Sequence, residues 1–158
     1  MKFEQKAVIS APRERVWAFL MDVPVMAHCI PGVETVESVG DDRYLGVLKV
    51  RVGPISLSLG GEVTITARSE DAGRAIMAVE AADKRVGGSV KALVEMVLSE
   101  VAGPTPITEI RVVTNAQVIG RIGEFGQPVI RKKAESVMQE FAENLRRTLQ
   151  THQREATA

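Results

Sequence analysis

Between residues 120 and 149 apolar side chains recur every three or four positions, and no other stretch constrains the fold of this sequence so strongly. Ile122, Phe125, Val129, Val137, Phe141, Leu145 and Leu149 make the repeat, with Ala134 and Met138 beside it. That is the period of a helix with one apolar face. Arg131, Lys132, Lys133, Glu135, Gln139, Glu140, Glu143, Arg146 and Arg147 fall between them and turn the opposite face to solvent. At ~1.5 Å per residue the helix would run about 40 Å, enough to cross a small domain. Its apolar face needs a cover, and most of the preceding chain reads as strands that need one too. The expectation is an α+β fold in which a curved antiparallel sheet of about seven strands wraps one long C-terminal helix.

The chain order supports this. Residues 2–10 alternate, with Phe3, Ala7 and Ile9 opposite Lys2, Glu4 and Lys6. Ser10 and Pro12 start a short helix reaching Met21, and Pro24 opens a second that Pro31 and Gly32 end. Strands are then predicted over residues 33–39, 43–52, 55–68, 75–82, 89–101 and 108–118, joined by hairpin-length turns rich in Gly, Asp and Pro. Gly60 and Gly61 interrupt the third of these, where a bulge or sharp bend is expected. A single domain over residues 1–150 follows, with a loose tail at 151–158.

Composition narrows the function. Twenty basic and twenty acidic residues balance, so the overall attraction of a nucleic-acid binder is missing. The lone Cys29 cannot form an internal disulfide, and MKFEQKAV lacks the apolar core of a signal peptide, which predicts a cytoplasmic protein. No apolar run approaches the ~20 residues that span a bilayer, so membrane contact would be peripheral or through a partner.

Alternation also sorts the sheet faces. Tyr44, Leu48, Val50, Val52, Leu57, Leu59, Val63, Ile65, Met77, Val79, Ala81, Val90, Val94, Met96, Leu98, Ile110, Val112, Thr114, Ala116 and Val118 face the helix. Lys49, Arg51, Glu62, Glu80, Lys91, Glu95, Glu109 and Arg111 face outward. An interior with no predicted Asp, Glu, Lys or Arg weighs against catalysis, because enzymes need convergent groups of tuned pKa. It suits an apolar ligand site, but periodicity leaves open whether the space is filled or hollow.

His28 and Cys29 are the obvious chemical candidates, yet neighbours on one short helix point about 100° apart. A structural role for Cys29 is favoured. With His152 they make no metal motif, so no metal is expected. Gly120, Gly123 and Gly126 open the long helix with Pro128 just after, and each glycine costs ~1 kcal/mol against alanine. A frayed or bent start follows. It reads either as a mobile entrance, where Ile122 and Phe125 move aside, or as close packing on the short helices. Ile30, Pro31, Gly32, Gly87 and Gly88, with His28, fall near the same mouth. The basic run Arg131, Lys132 and Lys133 is read as solvated helix face, with anionic lipid as the alternative.

Four stretches carry a resemblance: SAPRERVWAFL (10–20), CIPGVE (29–34), VRVGPISLSL (50–59) and AQVIGRIGEFGQPVIRKKA (116–134). The element order resembles the helix-grip fold of the START/Bet v 1-like (SRPBCC) superfamily, and these stretches resemble the G-subunit family of carbon monoxide dehydrogenase. The resemblance implies a non-enzymatic accessory of a carbon monoxide dehydrogenase-type molybdenum hydroxylase. Such a protein would recruit the enzyme to the membrane and hold a quinone or lipid in its cavity, with no covalent or metal cofactor. The resemblance also implies, for some members, a C-terminal extension that reaches the membrane; the sequence departs there, stopping at Ala158, and anchoring by this segment alone is not expected. The expected cavity lining is Tyr44, Leu48, Val50, Leu57, Leu59, Val63, Met77, Val79, Val94, Met96, Val112, Thr114, Ala116, Ile122, Phe125, Val129 and Val137. Alternatives are a small enzyme of the polyketide cyclase or hydrolase sort, using Tyr44, Thr114 and His28, or an interaction module with a filled core.

Overall fold

A computed structural model describes the backbone of residues 1–157 and the side chains of residues 1–150. Strand β1 (Lys2–Ile9) leads into helices α1 (Arg13–Met21) and α2 (Val23–Met26) and a 3-10 turn at Ala27–Cys29. Six strands follow: β2 (Val33–Gly40), β3 (Arg43–Val52), β4 (Ile55–Ser69), β5 (Arg74–Ala82), β6 (Gly88–Val101) and β7 (Ile107–Gly120). A 3-10 segment at Arg121–Phe125 then precedes helix α3 (Gln127–Thr157). The strands make one antiparallel sheet in the order β1-β7-β6-β5-β4-β3-β2. This is the helix-grip arrangement expected from the sequence. The side chains of the tail read as loose, 151–158, lie outside the described residues, as does His152.

Two expectations need correcting. The long helix begins at Gln127 rather than Gly120. Gly126 takes a left-handed φ of 86°, a conformation that ends the 3-10 segment and cannot continue a helix. Pro128 then occupies the first turn of α3, where its missing N–H leaves no bond unmade. Ile122 and Phe125 consequently leave the helical stripe and pack against the sheet. Second, no register shift occurs at Gly60–Gly61, whose partners run without a break on both neighbouring strands. The irregularity lies between Ile65 and Ala67. Gly61 marks a close approach instead, since a Cβ there would stand 2.0 Å from the Glu80 carbonyl oxygen.

The sorting of faces agrees with the registers. Outward, Arg43 meets Glu62 at 2.7 Å, Arg74 meets Glu95 at 2.5 Å, Lys91 meets Glu80 at 3.7 Å, and Arg68 pairs with Asp42. Inward, two separate apolar clusters form. The larger gathers Ile9, Val16, Trp17, Leu20, Leu98, Ile110, Leu145 and Leu149 where α1, the 3-10 turn and the second half of α3 close on β1, β6 and β7. Leu145, at 0% exposure, is among its most deeply buried members. Full burial of each such side chain contributes about 1.5–3 kcal/mol. Thr108 donates its hydroxyl to the Ala11 carbonyl at 2.7 Å, which satisfies a polar group inside this end. The smaller cluster joins Val52, Leu57 and Ile122, with Val50, Leu59, Val86, Val118 and Phe125 packed on it.

Candidate functional site: the space between sheet and helix

Helix α3 runs closest to β1 and approaches β3 and the two 3-10 segments, while its Phe141, Leu145 and Leu149 share the larger cluster with Met96 and Leu98 of β6. It is therefore held near both ends of the strand order, at β1 and at β3. Of the expected lining, Leu57, Met96, Ala116 and Ile122 are buried. Tyr44, Leu48, Val50, Leu59, Val63, Met77, Val79, Val94, Val112, Thr114, Phe125 and Val137 keep partial exposure. Tyr44, Leu48, Val63, Met77, Val79, Val94 and Thr114 belong to neither packed cluster. Inward-facing aliphatic side chains that solvent still reaches mark space that methyl groups do not fill.

Val129 departs from the expected stripe. It is 45% exposed, because moving the helix start to Gln127 leaves Ile130, half-buried, on the inner side. A groove of about 120 Å³ opens where β3 meets α3, lined by Pro31, Gly32, Val50 and Val137 with Lys133 and Glu140 at its edge. A wider depression of about 320 Å³ crosses β5, β6 and β7. Its walls are the rows Ala78–Leu93–Asn115 and Glu80–Lys91–Gln117, which the register turns to the outer face. It is a dish on the back of the sheet, separate from the inner space.

The entrance residues fall into two groups. Gly87, Gly88, Gly120 and Gly123 meet at one corner, where Gly88 pairs with Gly120 and the Arg121 N–H donates to the Gly87 carbonyl at 2.7 Å. Ile122 lies on Gly88, so that a Cβ at Gly88 would stand 2.7 Å from its side chain. Pro31 and Gly32 meet β3 instead, where the Lys49 N–H donates to the Gly32 carbonyl at 2.8 Å. Gly32 has φ +90°, and a Cβ there would stand 2.1 Å from the Lys49 carbonyl oxygen, so only glycine fits. Val50 joins the two groups, packing on the Ile122 cluster and lining the Pro31 groove.

His28 is exposed and Cys29 is buried, so they do not face a common point. The Asn144 amide donates to the Cys29 carbonyl at 2.9 Å and Thr148 Oγ1 lies 3.7 Å from Sγ, which ties the turn to α3. Among the described residues no three His, Cys, Asp or Glu side chains group as metal ligands.

Three polar residues escaped the sequence reading. Asp83, 3% exposed, accepts N–H groups from Ser58 at 2.7 Å, Arg85 at 2.9 Å and Val86 at 3.1 Å. The Ser58 bond, with the Val86 and Arg85 bonds, holds its carboxyl below the usual range. Its signal in the sequence was an Asx-type turn ahead of Gly87 and Gly88. Arg131, read as solvated, lies with its guanidinium 5.8 Å from the Phe3 ring centre. Gln5 shares the inner face of β1 with Phe3 and Ala7, and its Nε2 is buried without a hydrogen-bond partner. Strict alternation from Phe3 to Ile9 already placed it there.

The sequence profile of the carbon monoxide dehydrogenase G subunit (CoxG) matches residues 6–150, nearly the whole chain. The chain belongs to the CoxG family. No curated protein matches this CoxG-family chain in sequence. Among solved structures, a conserved protein from Geobacillus kaustophilus superposes with a TM-score of 0.86 at 18% identity over 96% of each chain. A START superfamily protein from Mycobacterium smegmatis gives 0.68 at 11% identity, covering 95% of this chain and 97% of that one. Zhui aromatase/cyclase from Streptomyces sp. R1128 gives 0.60 at 15% identity, covering 92% and 90%. At these identities the neighbours establish the START-like fold of the CoxG-family chain, and they include an enzyme.

Proposed function

We propose that this chain is a non-enzymatic carrier that holds a quinone or lipid-like molecule between the sheet and α3. In this reading it serves as an accessory to a carbon monoxide dehydrogenase-type molybdenum hydroxylase and brings that enzyme to the membrane or its quinone pool. One observation carries the ligand: an apolar interior whose central residues, Val63, Met77, Val79 and Val94, keep partial exposure between two packed clusters. Apolar sites need shape, a dry wall and a few orienting polar atoms. The family supports the accessory role. Among the described residues no helix is long and apolar enough to cross a membrane, so contact in this reading is peripheral or through the enzyme.

The geometry gives a cyclase or hydrolase little to work with. Tyr44 on β3 and Thr114 on β7 are four strand positions apart in the sheet order. At ~4.8 Å per strand that is roughly 19 Å along the sheet. His28 is exposed outside it.

Mass spectrometry under native conditions, on freshly purified protein, tests the reading. We expect a co-purifying lipophilic molecule, and we expect Val94→Trp to lose it while keeping the fold. Retention by Val94→Trp of full quinone and lipid uptake would overturn the site.

A further inference from the structure

The Gln5 amide is a polar group in the wrong place for a core. It points inward from β1 opposite Val112, and its Nε2 is shut off from solvent with no acceptor in reach. Buried donors are almost always paired, so an orphan calls for an explanation. Its surroundings supply one. Phe3, the next inward residue of β1, pairs with Thr114, which places Thr114 diagonal to Gln5 on the same face. Arg131 reaches over Phe3 from α3, and among the described residues no carboxylate pairs with it. One amide, one hydroxyl and one guanidinium therefore gather at the β1 side of an otherwise aliphatic interior. Gln5 as a whole is only half-buried. The terminal torsion of a glutamine is broad, so its NH2 can reorient at little cost.

We infer that Gln5 is the polar anchor of the interior, donating a hydrogen bond from Nε2 to a carbonyl-type oxygen on the bound hydrophobe, with Arg131 and Thr114 flanking it. The inference rests on the carrier reading and sharpens it. The ligand class becomes an apolar body with at least one acceptor oxygen, as in a quinone, rather than a pure hydrocarbon. The amide remains unpartnered in the empty protein because its partner arrives with the ligand, the usual arrangement for an orienting group in an apolar pocket.

Two probes of equal shape test this: 2-methyl-1,4-naphthoquinone and 2-methylnaphthalene, titrated by tryptophan quenching or calorimetry into the full chain and into Gln5→Leu. The expected result is a preference of the parent for the quinone. Gln5→Leu should bind the quinone about 3- to 10-fold more weakly, the range of one neutral hydrogen bond. Its hydrocarbon affinity should stay within about twofold, and its Tm should not fall, because an unpaired amide gives way to a methyl-bearing side chain. Equal binding of both probes by the parent, or a proportional loss of both in Gln5→Leu, would overturn the anchor and leave the carrier reading standing. Binding of neither probe by the parent would overturn both.

Discussion

The two halves of the interior are held together by different means. At the end where α1 and the second half of α3 meet β1, β6 and β7, large side chains interlock and several reach zero or near-zero exposure. Toward β3, β4 and the 3-10 segment Arg121–Phe125, only a small apolar cluster forms. There the chain relies on Gly32 against Lys49, Gly88 against Gly120, and the three N–H groups gathered by Asp83. Side-chain packing stabilises one half and backbone devices hold the other. A wall tied through its backbone can leave its inward side chains unopposed, and that is what an adaptable binding space requires.

The comparison is most sharply tested by deleting methyl groups on each side. Leu98→Ala, in the filled end, should cost about 2–5 kcal/mol, because its neighbours cannot collapse into the gap. Val94→Ala, four residues earlier on the same face of β6, should cost under about 1 kcal/mol, the range of sites without such packing. Urea denaturation of both variants measures the contrast. Equal losses would mean that the space around Val94 is as well filled as that around Leu98, and the division into halves would fail.

A second variant asks whether the open half depends on its backbone. Gly32→Ala puts a Cβ where the Lys49 carbonyl oxygen lies and forces a side chain into a left-handed conformation. Strain of this kind typically costs about 1–3 kcal/mol. A lower Tm, with quinone or lipid uptake reduced at the Pro31 groove, is expected. A Tm equal to the parent's would show that β3 yields easily and that this wall is not held as described.

Much of this architecture could be read from the sequence, and the failures share one cause. The seven strands, the two short helices and the inner and outer faces followed from alternation and turn chemistry, because a strand with one wet face must repeat every two residues. Helical periodicity carried the α3 stripe from Val137 to Leu149. It misled at Ile122 and Phe125, since a period of three or four does not distinguish a helix from a 3-10 segment that packs the same residues sideways. Tertiary contact decided the rest. Gly60 and Gly61 looked like a bulge or sharp bend, yet the register runs through both and Gly61 alone serves a close strand approach, and Arg131 looked solvated although Phe3 lies beneath it. Gln5 and Asp83 were passed over because a polar residue in a strand or turn ordinarily faces water. Whether the interior was filled could not follow from a pattern of faces, since that depends on how far α3 stands from the sheet.

Asp83 offers a smaller effect with a defined pH dependence. Its folded-state pKa is lowered by the N–H groups of Ser58, Val86 and Arg85. The carboxylate therefore adds stability that is fully present above the unfolded value, about 3.9, and lost as pH falls through the folded value. Asp83→Asn should lower Tm at pH 7, and the gap between the two proteins should narrow as both are melted at progressively lower pH toward 3. A gap of constant size across that range would mean that the charge contributes nothing and that only the shape of the side chain matters.

The least change is expected from Tyr44→Phe. Tyr44 lies half-buried on the inner face of β3 opposite Val63, and among the described residues its hydroxyl has no protein hydrogen-bond partner. Removing it should alter stability by no more than about 0.5 kcal/mol, as at positions without a structural device. For a carrier whose polar anchor lies at Gln5, on the far side of the sheet from β3, quinone affinity should also hold within about twofold. The phenol is the one polar side chain on the inner face of β3, so an enzyme built on this sheet would draw on it. If turnover of an added cyclic or ester substrate were present in the parent and abolished by Tyr44→Phe, the open half would be a reaction chamber and the carrier reading would fall.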